Sequence, residues 1–225
     1  MIFVSLSAAE TQKSANNSAA TGMPPIYTAA ENGDVKEVFR LILTGADVNT
    51  VCVYECQGWT PLMIAAAENH KDVVDLLLAN KANPNAQNAF GRTALHFAVR
   101  YGYIPIIKSL LTANANPNIQ SNDGIDNEGS QKVNSPMADA LTQKKDTEIL
   151  KLLILNGGDP NYKFWDFTPL IQAAAKDDIE LVEILLDKNV DVNHKKLGLT
   201  ALDIAKNRGN KKIIEMLQNR YKRVK

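Results

Sequence analysis

From residue 24 to about residue 218 the apolar positions alternate between two patterns. A short alanine-rich run, such as Leu62-Met63-Ile64-Ala65-Ala66-Ala67, is followed by paired apolar residues at helical spacing. These pairs are Val73, Val74, Leu76 and Leu77, then Ile106, Ile107, Leu110 and Leu111, then Leu181, Val182, Ile184 and Leu185. Residues three and four apart share one helix face, so each double pattern predicts two short α-helices in succession. Isolated helices below about 12 to 15 residues barely persist in water, so these must stabilise one another by burying their apolar faces.

The double pattern recurs. TPLMIAAAENHKDVVDLLLANKANPN from Thr60 is repeated as TALHFAVRYGYIPIIKSLLTANANPN from Thr93 and TPLIQAAAKDDIELVEILLDKNVDVN from Thr168. Further copies start at Pro24, Ser135 and Thr200, so the spacings are 36, 33, 42, 33 and 32 residues. Two links are therefore lengthened by insertions, near 50–57 and 124–134. Thr60, Thr93, Ser135, Thr168 and Thr200 read as helix caps, and Pro25, Pro61, Pro136 and Pro169 suit a first helical turn, where no N–H is needed. Gly33, Gly102 and Gly209 read as the turn between the two helices, with His70, Lys145 and Asp178 taking that place in other copies at some cost in strain. Gly45, Asn114, Gly157 and Asn189 can end the second helix in the left-handed conformation. Asp47, Asn83, Asn116, Asp159 and Asp191 are each followed two residues later by Asn49, Asn85, Asn118, Asn161 or Asn193, and these polar pairs read as turn formers rather than ligands.

In these residues the chain resembles the ankyrin-repeat family, whose unit reads roughly T-P-L-H-x-A-A, then Gly, then V-x-x-L-L, then G-A-x-x-N. The resemblance covers about residues 24–218, and it implies an all-α solenoid of about six helix-turn-helix repeats over 23–225, with β-turn fingers between repeats and protein binding on the fingers and the concave helix face. The fourth copy departs from the pattern at Met137-Ala138-Asp139, and the insertion before it lengthens the third finger. Residues 1–22, rich in Ala, Ser, Asn and Thr, fit no repeat and read as a flexible leader. The last copy, with Lys206, Arg208, Lys211 and Lys212, has the polar character of a terminal cap.

Composition narrows the function. The chain is 45% apolar and 22% charged, enough for a packed core, and its 25 basic residues balance 25 acidic ones. No global field draws it to nucleic acid. From Lys206 onward eight basic residues face one acid, leaving a net −7 on residues 1–205; the basic end reads as a solvated last helix. No apolar run approaches the roughly 18 residues that span a bilayer, so no membrane insertion is expected. The start, MIFVSLSAAETQ, has an apolar stretch followed by small residues, like the back half of a secretory signal peptide without its basic leader. Cys52 and Cys56 are the only cysteines. They fit two free thiols in a reducing compartment or a disulfide in an oxidising one, and the apolar start favours the disulfide and a periplasmic or secreted location over a cytoplasmic one.

Candidate chemistry is sparse. His70, His96 and His194 lie in three copies, with no acid or thiol at ligand spacing; His96 occupies the T-x-L-H position, where it supports the turn. No phosphate-cradling G-x-x-x-x-G-K, no G-x-S-x-G and no His-Glu-x-x-His occurs. The expectation is a non-enzymatic monomer without metal or cofactor that binds another protein. Nine of the fourteen aromatic residues, Tyr162 among them, fall by register in loops or turns, where folding alone would favour polar ones, and this marks eight of them, together with Arg92, as contacts. Tyr54, Trp59, Phe90, Arg92, Tyr101, Tyr103, Phe164, Trp165 and Phe167 are the predicted contact residues, most of them along the fingers, with Trp59 and Trp165 removable at little cost in stability. An exported ankyrin protein with a closed disulfide further resembles periplasmic bacterial immunity or self-protection proteins that block the producer's own cell-wall-degrading enzymes. The alternative is a cytoplasmic or secreted scaffold or effector that recruits another protein.

Overall fold

The computed structural model describes residues 23–53, 56–125, 131–142 and 147–224. The leader reading for residues 1–22, the predicted contact Tyr54 and the turn residue Lys145 lie outside these. The described residues fall into two compact units.

The first unit holds three helix pairs: α1 (Pro25–Glu31) with α2 (Val35–Leu43), α3 (Pro61–Ala67) with α4 (Lys71–Ala79), and α5 (Ala94–Tyr101) with α6 (Ile104–Thr112). It also carries most of a two-stranded sheet of β1 (Ser121–Ile125) and β2 (Gln131–Asn134), formed by the inserted third link. In this unit α3 packs against α1 and α5, and α4 against α2 and α6. Ala30, Ala65, Ala66 and Ala98 are fully buried, and their small side chains let the first helices lie close together. Thr60 caps α3 by accepting a hydrogen bond from the Met63 N–H at 3.3 Å, and Pro61 fills the first turn. Thr93 and His96 make the reciprocal arrangement at α5, with the Thr93 N–H donating to His96 Nδ1 at 3.0 Å, so His96 supports the turn as expected.

The second unit runs through α7 (Pro136–Thr142) with α8 (Glu148–Leu155), α9 (Pro169–Ala175) with α10 (Ile179–Asp187), the short strands β3 (Lys195–Lys196) and β4 (Leu199–Thr200), and α11 (Ala201–Arg208) with α12 (Lys211–Val224). Here α9 packs against α11 and α10 against α12. The basic residues near the end are partly committed: the Arg208 guanidinium pairs with Asp177, and the Tyr221 hydroxyl donates to the Val192 carbonyl.

The turns between helices correct one expectation. The left-handed residue is Asn69 (φ 63°) and Asp177 (φ 56°), aligned with Gly33, Gly102 and Gly209, and not His70 or Asp178. Asn and Asp tolerate this conformation better than most residues. His70 and Asp178 come one residue later, at the N-caps of α4 and α10, where neither needs a positive φ. His70 Nε2 lies 2.9 Å from the Glu31 carbonyl of the preceding helix pair.

Asp178 links helix pairs. Its carboxylate accepts from the Leu181 N–H at 3.0 Å and from the Thr147 hydroxyl, with Lys151 Nζ at 3.4 Å. Burial alone pushes this carboxyl up, but the Thr147 hydroxyl, the Leu181 N–H and the Lys151 ammonium outweigh it and hold it below the ordinary carboxylate value. A depressed folded value means the stabilisation is present above the ordinary carboxylate pKa of about 3.9 and is lost as pH falls through the lower folded one. Asp178→Ala is expected to cost about 1–2 kcal/mol at pH 7 and to flatten the acid side of the melting-temperature profile between neutral pH and pH 2.5. A variant whose acid profile parallels the wild type would show that this carboxylate is not what titrates.

The polar pairs in the links form a ladder. Asn49 Oδ1 accepts from the Asn83 N–H at 2.7 Å, Asn118 Oδ1 from the Asp159 N–H at 2.9 Å and Asn161 Oδ1 from the Asp191 N–H at 2.8 Å. The Asn118 amide also donates to the Gly157 carbonyl at 2.8 Å. Each Asn thus ties one link to the next while its own N–H donates to the acid or amide two residues before it, as from Asn161 to Asp159 at 2.8 Å.

Candidate finger-tip binding surface

The links that precede Thr60, Thr93, Thr168 and Thr200 each close into a narrow finger just before that capping residue. In the first finger the Cys52 N–H donates to the Trp59 carbonyl and the Gly58 N–H to the Cys52 carbonyl, both at 2.8 Å. Cys52 and Cys56 are joined by a disulfide with their Cα atoms 5.4 Å apart. Closing so small a loop restricts the unfolded chain and contributes about 2 kcal/mol on the loop-entropy estimate. Trp59 departs from expectation. Its ring is half-buried and lies 4.2 Å, centroid to centroid, from Phe97 of α5, so it packs the finger onto the helices and is not free to be removed without loss of stability.

The second finger is built around Asn88, whose Oδ1 accepts from the Phe90 and Arg92 N–H groups, both at 3.0 Å. It joins the first through the Ala89 N–H, which donates to the Gln57 carbonyl at 2.9 Å, and joins β1 through the Asn122 N–H, which donates to the Phe90 carbonyl at 2.7 Å. Phe90 projects from the tip, 39% exposed, and Arg92 is half-exposed at the base. Val51 and Val53 add exposed apolar surface beside the disulfide.

Tyr101 and Tyr103 do not belong to this edge. Tyr101 ends α5 and Tyr103 caps α6, so about eight residues of helix at roughly 1.5 Å each set them some 12 Å from the finger base. Their rings lie 5.7 Å apart at the opposite end of the helix pair, with Tyr101 55% exposed.

In the second unit Phe164 and Phe167 pair across a two-residue turn, with N–H to carbonyl distances of 3.1 and 3.0 Å in the two directions. Trp165 occupies the turn with φ 55° and is 85% exposed. A two-residue hairpin turn with positive φ at its first central residue normally places Gly there. A bulky aromatic in that conformation is uncommon and strained, and solvent on nearly every side means packing does not repay it. Phe164 touches Trp165 edge-on at 6.4 Å. Phe167 is partly covered by Lys196, whose ammonium stands 3.1 Å from the ring centroid, a close cation–π contact.

The next finger is the β3–β4 hairpin, with Lys196 paired to Leu199 and Leu197-Gly198 at the turn, φ 51° and 81°. Leu197 is 84% exposed. A search for aromatic residues passes over it, although the signal is in the sequence: Gln57, Phe90, Trp165 and Leu197 each stand three residues before a capping Thr. The finger tip is thus a defined register position, and three of its four occupants are large and apolar. Among the described residues no group of three or more His, Cys, Asp or Glu stands together as metal ligands, and no helix is long and apolar enough to cross a membrane.

The family profile of ankyrin repeats (three copies) matches residues 4–88, 26–121 and 137–225. The chain is 34% identical over 90 residues to the B-cell lymphoma 3 protein homolog of Mus musculus, covering 40% of this chain and 20% of that protein. It is 29% identical over 157 residues to the ANK repeat-containing protein nipk-1 of Caenorhabditis elegans, covering 64% and 25%. The chain therefore spans only about a fifth to a quarter of the length of these relatives. In fold it is similar to an ankyrin repeat domain of Acinetobacter baumannii, with a TM-score of 0.63 at 22% identity over 87% of this chain and 97% of that one. With the repeat profile matched over most of its length and the fold observed, the chain belongs to the ankyrin-repeat family, whose repeats are protein–protein interaction modules.

Proposed function

We propose that the chain is an exported inhibitory binding protein, one that lays its finger tips across the active-site mouth of a partner enzyme, with a peptidoglycan hydrolase of the producing cell as the favoured target. Trp165 carries the reading: a tryptophan held at positive φ and 85% exposed has no folding role large enough to account for it. Rigid aromatic groups presented to solvent are the residues that dominate protein interfaces. The Cys52–Cys56 disulfide in the first finger supports an oxidising compartment. Fingers fixed on stacked helices limit the ordering cost of association.

The test has two arms. Protein isolated from its native cell and alkylated without reduction is expected to show no free thiol; two free thiols would favour a cytoplasmic scaffold instead. Affinity capture from the envelope fraction, read by a peptidoglycan zymogram, is expected to retain a hydrolase whose activity the added protein suppresses. Trp165→Ala is expected to weaken that capture about thirtyfold or more, near 2 kcal/mol, without shifting the melting temperature. Capture that ignores this change, or a captured set without a hydrolase, would overturn the proposal.

A further inference from the structure

The tips of the second unit carry a chemical signature beyond exposure. We infer that Trp165 and Leu197 together form a seat for an acidic, apolar-tipped loop of the partner protein: the two tips grip the apolar side chain, and Lys163, Lys195 and Lys196 receive carboxylates on either side of it. This rests on the protein-binding reading above and names the chemistry of the partner.

Trp165 and Leu197 occupy the same register position, three residues before Thr168 and Thr200, and are the two most exposed large apolar residues described. Both hold positive φ in two-residue turns, where Gly, Asn or Asp would sit without strain. One such residue could be an accident of a single turn. The same choice in consecutive fingers, each time presenting an oily side chain to water, is a repeated design.

The two fingers are also tied together. Lys196 of the later finger lies over the Phe167 ring of the earlier one, and His194 Nε2 stands 3.3 Å from the Asp166 carbonyl. The aromatic ring positions the Lys196 ammonium before any partner arrives, which lowers the entropy lost when it meets an anion.

Charge selects the occupant. Residues 162–167 and 194–199 hold three lysines and one carboxylate, Asp166, inside the portion of the chain that is net acidic through residue 205. The nearby Asp203 accepts from the Thr200 N–H at 3.0 Å and the Thr200 hydroxyl at 2.7 Å, and those bonds, with the charges of Lys206 and Lys195, hold its carboxyl below the ordinary value, so with it the local balance is three lysines against two carboxylates. Three ammonium groups around an apolar pair suit two or three carboxylates flanking one apolar side chain. They are too few for the multi-phosphate neutralisation on which nucleic-acid binding depends.

Panning a random dodecapeptide phage library on the full-length chain tests this. Enriched peptides are expected to carry an aromatic or aliphatic residue flanked by at least two Asp or Glu, and the best of them, made synthetically, is expected to lose tenfold or more in affinity on Leu197→Ser. The double change Lys163→Glu and Lys195→Glu leaves the Lys196–Phe167 contact in place and is expected to turn selection toward Lys and Arg; thermal melts of both variants establish that they fold. Enrichment of neutral or basic motifs, no enrichment, binding indifferent to Leu197→Ser, or displacement of the peptide by duplex DNA at physiological salt would overturn the inference. If capture of the natural partner falls with Trp165→Ala yet ignores Leu197→Ser and the charge reversal, this inference fails while the binding function stands.

Discussion

Leu77→Ala is expected to lower the unfolding free energy by about 3 kcal/mol, while Leu41→Ala, the same change at the same register position one repeat earlier, costs roughly half as much. Leu77 is 0% exposed on α4, which packs between α2 and α6, whereas Leu41 on α2 is 9% exposed. In a repeat array stability is close to a sum of repeat terms and nearest-neighbour interfaces, so a cavity under Leu77 weakens two interfaces at once. Leu41 lies in the first described helix pair, and the contacts described for α2 beyond its own hairpin are with α4. Urea unfolding would show both as shifts in midpoint, and amide exchange in α4 would accelerate in Leu77→Ala along with that of its neighbours α2 and α6. Equal losses from the two substitutions would mean that position in the stack does not govern stability here.

The helices were legible because their cause is local. Paired apolar residues at helical spacing and a Thr or Ser before five of the six first helices leave little choice of element, and Thr60 and Thr168 cap helices as read. The turn between helices was misplaced by one residue in two copies because His70 and Asp178 are chemically conspicuous, while Asn69 and Asp177 do the conformational work. Counting nine residues from the capping Thr would have found them.

Contact residues are harder, because exposure depends on what the rest of the chain covers. Trp59 and Trp165 look alike in the sequence, each just ahead of a capping Thr. They differ by two residues in register, and that difference turns one onto Phe97 and the other into solvent. Tyr101 and Tyr103 belong to the copy that follows Phe90 but lie at the far end of its helix pair, a separation evident only once the helix has length. Leu197 was hidden by its type, not by its position.

Gly158→Ala is expected to cost about 2 kcal/mol, although the repeat register names Ala as the natural residue at that position. Ala46, Ala82 and Ala115 stand there in other copies and make the same bond, an N–H donated to a leucine carbonyl at 2.9 to 3.0 Å, as Gly158 does to Leu153 at 2.8 Å. On unfolded-state grounds alone, replacing Gly by Ala would stabilise by up to about 1 kcal/mol. In the fourth copy, however, an added Cβ would meet the Leu153 carbonyl oxygen and Met137 Sδ, each at 2.8 Å. Met137 is fully buried and cannot swing into solvent. It replaces the Leu of the repeat pattern, held elsewhere by Leu62, Leu95 and Leu170, and its longer unbranched side chain reaches the space that an alanine methyl fills in the other copies. Met137 and Gly158 are therefore a compensating pair, standing where the second and third copies have Leu62 with Ala82 and Leu95 with Ala115. The double variant Met137→Leu, Gly158→Ala is expected to recover the part of the loss that Met137 Sδ causes, the Leu153 carbonyl contact remaining, a coupling that a double-mutant cycle in urea measures directly. A single Gly158→Ala variant as stable as the wild type, or a double variant no better than the single, would show that the two sites do not share that space.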